Sequence, residues 1–241
     1  MRTETELCLN VCATIAVRVV RKVIRLRKVN KRNRVAWCRG KQYLPVNGYW
    51  NRVTFRDESK VEIGLDNRVC IWRRAGEQWL PACTSPCCKE ATWCNDLGMH
   101  YIFTLDFVEG SINAVKYTDI LEDNLWPMVA RHFPQNNSIF QDDNAPIHRA
   151  REVMEYRVEN KIKTLLWPAQ SPDLNIIENV WQRLKRELQT DATCIATVDD
   201  LKARIRHLWE NLPVNYVQSL YYSISRRIKA VLKNNGNVTK Y

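Results

Sequence analysis

The hydrophobic period of this chain changes once, and that change limits what it can fold into. From Trp50 to Val108 apolar residues come in short β-prone runs: Val53–Arg56, Val61–Leu65, Val69–Arg73 and Ile102–Val108. Turn residues at Asp57–Ser59 and Asp66–Asn67 separate the first three, which read as an antiparallel meander. Beyond Ile112 short strands alternate with helical stripes. Ile112–Phe133 reads as a helix broken at Pro127, Ser138–Gln141 as a strand, Arg149–Asn160 as a helix and Thr164–Trp167 as a strand. After the proline-punctuated loop WPAQSPDLN, Ile177, Val180, Trp181, Leu184 and Leu188 recur at helical spacing and predict a helix over Ile176–Leu188 with that stripe inward. Thr197 and Asp200 carry a capping-box signature opening Val198–Leu212, and a last helix follows Pro213 towards Lys233. Strands first, then strand–helix alternation, predict an α/β fold with a mixed sheet flanked by helices. Residues 81–100 show neither period and read as irregular.

The charge is uneven. The net formal charge is +11, yet Arg18–Arg34 alone holds nine basic residues and no acid. They are Arg18, Arg21, Lys22, Arg25, Arg27, Lys28, Lys31, Arg32 and Arg34. The excess is therefore a short, helix-prone arm, suited to phosphate backbones. A solvated basic helix or a nuclear targeting signal is the plainer reading. No stretch reaches the roughly 18 apolar residues of a membrane span, and Leu9–Val17, preceded by Glu4 and Glu6, does not read as a secretory signal. An odd number of cysteines, nine, at irregular spacing argues for free thiols in a reducing compartment. Cys83, Cys87, Cys88, Cys94 and His100 lack the paired spacing of zinc modules, which disfavours a zinc-dependent DNA-binding module.

Three acids stand at element ends: Asp57 after Val53–Arg56, Asp143 after Ser138–Gln141, and Glu178 in the first turn of the helix beyond the proline loop. Such positions carry function in α/β proteins. Carboxylates brought together repel unless a cation neutralises them, and hard oxygen donors suit magnesium or manganese. On pattern alone, solvent-facing acids at turns account for them as well.

The local words are more specific. TFRDES, FQDDNAPIH and WPAQSPDLNIIENVW resemble the three acidic motifs of the mariner superfamily of DNA transposases, in its Tc-one-like branch. The family's catalytic, metal-holding acids correspond to Asp57, Asp143 and Glu178, with 34 residues between the last two. Asp142 is the less fitting acid of its pair. The resemblance extends from about Arg34 to Tyr241 and includes VAWCRGKQ, WRRAGE and RRIKAVLKNNG. It implies a ribonuclease-H-like fold and two Mg2+ or Mn2+ ions. It also implies DNA cleavage and strand transfer, a nuclear setting, DNA (transposon ends and target) as partner, and a homodimer as a further possibility, with no membrane role. Residues 1–35 would be the arm and 36–241 the catalytic domain. Asn144 and His148 would contact DNA or hold the metal ligands, or else cap and pack. Pro168, Pro172 and Asp173 would shape the loop before Glu178, and Lys185 and Arg186 would touch phosphate or solvent.

Two departures from the family stand out. Only some thirty-five residues precede VAWCRGKQ, too few for two helix-turn-helix modules. Where the family has an apolar strand resembling VMVWGCI, this chain reads CNDLGMHY. One back-translation of that segment, read a nucleotide later, encodes VMIWGCI. The polar segment is expected to loop out or pair imperfectly, impairing catalysis. The rival function is that of a decayed transposase that only binds nucleic acid weakly through its arm.

Overall fold

The computed structural model describes residues 26–63, 89–97, 102–108, 111–190, 195 and 197–241. Four strands form one mixed sheet in the order β3-β2-β1-β4: β1 is Val53–Ile63, β2 Lys89–Leu97, β3 Ile102–Val108 and β4 Ile139–Gln141. β1 runs antiparallel to β2 and parallel to β4, and β2 is antiparallel to β3. A single parallel bridge, Phe140 to Thr164, continues the sheet beyond β4. It is all that forms of the strand expected at Thr164–Trp167. Among the described residues, six α-helices accompany the sheet: α1 Lys28–Lys41, α2 Ala114–His132, α3 Arg151–Glu159, α4 Ile177–Thr190, α5 Val198–Glu210 and α6 Val214–Lys233. Among the described residues, no helix is long and apolar enough to cross a membrane.

β1 organises the layers through its alternation. Val53 and Phe55 face the larger core, with the α4 stripe Ile177, Val180, Trp181, Leu184 and Leu188, and with Leu201, Ile205, Tyr221 and Ile228 from α5 and α6. Thr54 and Arg56 take the opposite parity and are also buried; the Arg56 guanidinium lies over the Tyr117 ring of α2. There α2 and α3 pack a second cluster: Tyr117, Leu121, Leu125, Met128, Val129, Phe140 and Val153. Helices thus cover both sides, as parallel pairing at β1 and β4 requires.

The sequence expectations for the later helices agree with these bounds, and Thr197 and Asp200 form the capping box. Four expectations are corrected. The turn expected at Asp57–Ser59 is absent: β1 runs straight through it, because pairing with β2 supplies the backbone partners a turn would have replaced. Pro127 does not break α2; the buried residues on both sides of it hold one continuous helix. Lys89–Leu97 is a strand between β1 and β3, not an irregular segment. The polar stretch does not loop out through Leu97, although the β2–β3 register shifts between Asn95 and Leu97, the irregular pairing expected there. Arg18, Arg21, Lys22, Arg25, the run Val69–Arg73, Cys83, Cys87, Cys88 and His100 lie outside the described residues. Cys38 is a free, buried thiol, pushed up to about 12 by burial.

The fourth correction concerns Arg34, expected on the phosphate-binding arm. It is fully buried. Its two terminal nitrogens donate to both carboxylate oxygens of Asp173, each at 2.7 Å, and its Nε donates to the Gly236 carbonyl at 3.0 Å. The reason lies in α1, which crosses the expected boundary at residue 35 as one helix and turns Arg34 and Cys38 inward. Gly236 has φ +78°, and a Cβ there would lie 2.3 Å from the Lys31 carbonyl oxygen, so only glycine lets the tail reach α1. Asp173 also accepts from the Thr239 amide and hydroxyl, while Arg227 donates to its carbonyl. Replacing Arg34 by Ala should strand a buried carboxylate and cost about 3–5 kcal/mol. Denaturant unfolding of R34A against the unmodified chain measures this; a loss below 1 kcal/mol would contradict the buried pair.

Candidate active site

Asp57 lies in mid-strand, five residues into β1. The β1–β4 register ends with Phe55 paired to Gln141; two residues further on stand Asp57, still within β1, and Asp143, just beyond the end of β4. Glu178 enters from the first turn of α4, whose apolar stripe fixes the rotation of the helix on the sheet. The three acids line one cleft of about 300 Å3, together with Asn144, Trp167, Pro168, Ser171, Pro172 and Asn175. The structure therefore brings the three predicted residues together.

Their electrostatics differ. Burial holds the Asp57 carboxyl well above the usual carboxylate range, and the neighbouring charges of Glu178, Glu58 and Asp143 raise it further, against one hydrogen bond from the Glu58 amide. Glu178, which opens to solvent, is raised by partial withdrawal into the cleft and by Asp143, with Lys185 opposing. Asp143 goes the other way. It accepts from His148 at 2.8 Å and from the Ala145 amide at 2.8 Å, and the first of these lowers it most. Asp142 points into the second core, where it is paired with Arg157 and accepts from the Tyr117 hydroxyl. Adjacent aspartates just beyond β4 thus go to different places, one paired with Arg157 inside and one in the cleft.

Such a cluster fits a divalent cation on chemical grounds. Its donors are hard oxygens, and Asp57 is pressed by like charges. Among the described residues no three potential ligands already stand at metal-binding geometry, so the carboxylates share a cleft without being closed on one point.

Sequence reasoning missed Glu58 and Asn175. Glu58 faces the opposite side of β1 from Asp57, and its Oε1 lies 3.4 Å from His148 Nε2. Its only signal was its position beside Asp57. Asn175 donates to Asp57 at 3.4 Å; an Asn shortly before an apolar helical stripe is a cap signature that could have found it. Asn144, left open between roles, donates to the Trp167 carbonyl at 2.6 Å and so holds the cleft wall. Of the predicted arm residues within the described part, Arg27, Lys28 and Arg32 are exposed and Lys31 is half-buried.

The family profile described as DDE superfamily endonuclease matches residues 52–202, and the chain belongs to that family. Within it the chain is a transposase catalytic domain. It is 33% identical to the transposable element Tcb1 transposase of Caenorhabditis briggsae, over 88% of this chain and 78% of that protein. It is 32% identical to the Tc3 transposase of Caenorhabditis elegans, over 80% of this chain and 59% of that one. The ribonuclease-H-like fold is that of the Mos1 transposase. A pre-cleavage Mos1 transpososome superposes with a TM-score of 0.77 at 16% identity, over 98% of this chain and 72% of that one. The Mos1 catalytic domain with raltegravir and Mn superposes at 0.70 and 15% identity, over 90% of this chain and all of that one.

His148 is held between Asp143, Glu58 and Asp142 and packs 4.4 Å from the Tyr117 ring. Burial alone would lower it, but the hydrogen bond to Asp143 and the nearby carboxylates of Glu58 and Asp142 prevail and raise it to about 10. Its folded value exceeds the unfolded 6.5, so its stabilisation is complete below about pH 6.5 and lost as pH rises through about 10. The stability gap between the unmodified chain and H148Q should therefore shrink steadily from pH 6.5 to 10, as measured by urea unfolding.

Proposed function

We propose that this chain is a metal-dependent DNA-cleaving and strand-transferring catalytic domain of a transposase, acting in the nucleus, with Asp57, Asp143 and Glu178 holding two Mg2+ or Mn2+ ions. The observation that carries the reading is the convergence of the three acids, from β1, the segment after β4 and α4, on one cleft. Family membership supplies the reaction class. Relatives of the fold have been seen with Mn and with Mg, and in complex with a left transposon end. Paired-end complexes of Mos1 make a homodimer the natural assembly to look for.

When bound, a pair of divalent ions activates the attacking oxygen and stabilises the leaving oxygen of a phosphodiester. The chain's own residues then have distinct tasks. Asp57 offers a carboxylate from β1 and Asp143 one from the segment two residues beyond the end of the neighbouring parallel strand β4. Glu178 offers a third from a helix that the larger core holds in place. His148 donates to Asp143 and keeps that carboxylate ionised and oriented. The loop through Pro168 and Pro172 walls one side of the cleft and limits the approach of DNA to the other.

The basic arm is the proposed DNA tether, without Arg34. Eight charges remain, from Arg18 to Arg32. The salt dependence of duplex binding should accordingly have a log–log slope no steeper than about −7. Deleting residues 1–26 removes four of these eight charges and should weaken binding and flatten the slope by about half, whereas tight sequence-selective binding that survives the deletion unchanged would contradict the tether.

The catalytic reading is tested by Mn2+-dependent nicking of supercoiled DNA. Asp57→Ala, Asp143→Ala and Glu178→Ala should each lower the rate by more than the roughly 10–100-fold expected for residues behind the ligands. Retained nicking in any folded variant would remove that acid from the site.

A further inference from the structure

The sequence motifs leave the join between the first and third acids unexplained. They arrive on separate elements, 121 residues apart in the chain. A positioning role for one side chain follows from what lies between them.

Asn175 is buried, with 4% of its surface exposed. Its Nδ2 donates to Asp57 Oδ2 at 3.4 Å. Its Oδ1 accepts the Ile177 backbone N–H at 3.3 Å, at the N-terminus of α4 and one residue before Glu178. The orientation of the amide is dictated by Ile177: a backbone N–H only donates, so Oδ1 must face it, which leaves Nδ2 to donate to Asp57. The other oxygen of Asp57 is already held by the Glu58 amide. Asn175 therefore fixes the remaining rotation of that carboxylate about its own stem.

The support behind Asn175 is stiff. Leu174 and Ile176, its chain neighbours, are buried in the larger core at 2% and 0% exposure. Its own amide donates to the Pro172 carbonyl at 3.0 Å. Two residues earlier Asp173 is gripped by Arg34 from α1 and by Thr239 from the tail, with Arg227 of α6 on its carbonyl. The 3.3 and 3.4 Å contacts are long for hydrogen bonds.

We propose that Asn175 is a positioning residue that couples the Asp57 carboxylate to the first turn of α4, so that Asp57 and Glu178 move as one unit when they take up a divalent ion. This rests on the metal-dependent reading above. Only a primary amide of this length supplies a donor to Asp57 and an acceptor to Ile177 together. Serine would cap α4 but has no amide to reach Asp57. Aspartate has the shape of Asn175 but offers acceptors to both sides.

The experiment uses the full chain with Mn2+ as probe, comparing the unmodified protein, Asn175→Ser, Asn175→Asp and Asp57→Ala. Bound Mn2+ is read from the electron paramagnetic resonance of the free ion, folding from the thermal unfolding midpoint, and kcat and KM from DNA nicking. N175S should unfold near the unmodified midpoint, bind Mn2+ about 10–100-fold more weakly, and lose kcat with KM for DNA unchanged. N175D should also lose kcat, whichever way its extra charge moves Mn2+ affinity; should N175S fail to fold, N175D decides. Unmodified kcat in a folded N175S or N175D would overturn the positioning role while leaving the metal reading intact. If Asp57→Ala binds Mn2+ as tightly as the unmodified chain, the metal reading itself fails, and this inference with it.

Discussion

The ion pair between Arg34 and Asp173 is the constraint on which much of this fold depends. It is fully buried and bidentate, and it brings together α1, the proline loop and the C-terminal tail, parts of the chain far apart in sequence. Such a pair contributes little against well-packed apolar residues, because desolvating both charges costs nearly what their attraction returns. Its consequence is geometric. A buried guanidinium tolerates only partners that satisfy its donors, so the loop carrying Asp173 has one place to sit. That loop leads directly into Asn175 and α4. The third acid thus inherits its position from a contact made by a helix at the other end of the chain. Arg227, donating to the Asp173 carbonyl and to Asn179, repeats the device from α6.

A second organising principle is the two-residue alternation of β1. One parity carries Val53, Phe55 and Asp57, the other Thr54, Arg56 and Glu58. The first faces the larger core and ends in the cleft; the second faces α2 and His148. Just beyond β4, Asp142 and Asp143 also go to different places. Four acids near one sheet edge would repel strongly if they shared a face. Sorting them gives Asp142 to Arg157 and Glu58 to His148, while Asp57 and Asp143 remain in the cleft with Glu178. Those three are not alike: His148 holds the Asp143 carboxyl below the usual carboxylate range, while burial and like charges hold that of Asp57 well above it.

Much of this was legible in the sequence where a single period dominates. The α4 stripe, the Thr197–Asp200 capping box and α6 needed only local spacing, and the three acids needed only their motifs. The errors share a cause: non-local pairing overrides local turn and breaker signals. Asp57–Ser59 is turn-prone in isolation, yet β2 pairs with it on one side. Lys89–Leu97 has no strand period because its place between β1 and β3, not its own pattern, makes it a strand. Arg34 lay within a run of basic residues and nothing nearby distinguished it; its partner is 139 residues away. The bond from Asn175 to Asp57 crosses the fold, and nothing in the local spacing pointed to it.

The account's central claim is that Asp57, Asp143 and Glu178 are one metal-binding constellation built on a rigid frame. The most direct test is a crystal structure of the chain grown with Mn2+, with anomalous scattering collected to place the ion. The account predicts anomalous density between the Asp57 and Asp143 carboxylates, with Glu178 turned towards it and the Arg34–Asp173 pair unchanged. Anomalous density confined to other residues, or a Glu178 directed away from the other two acids with Mn2+ bound, would contradict it.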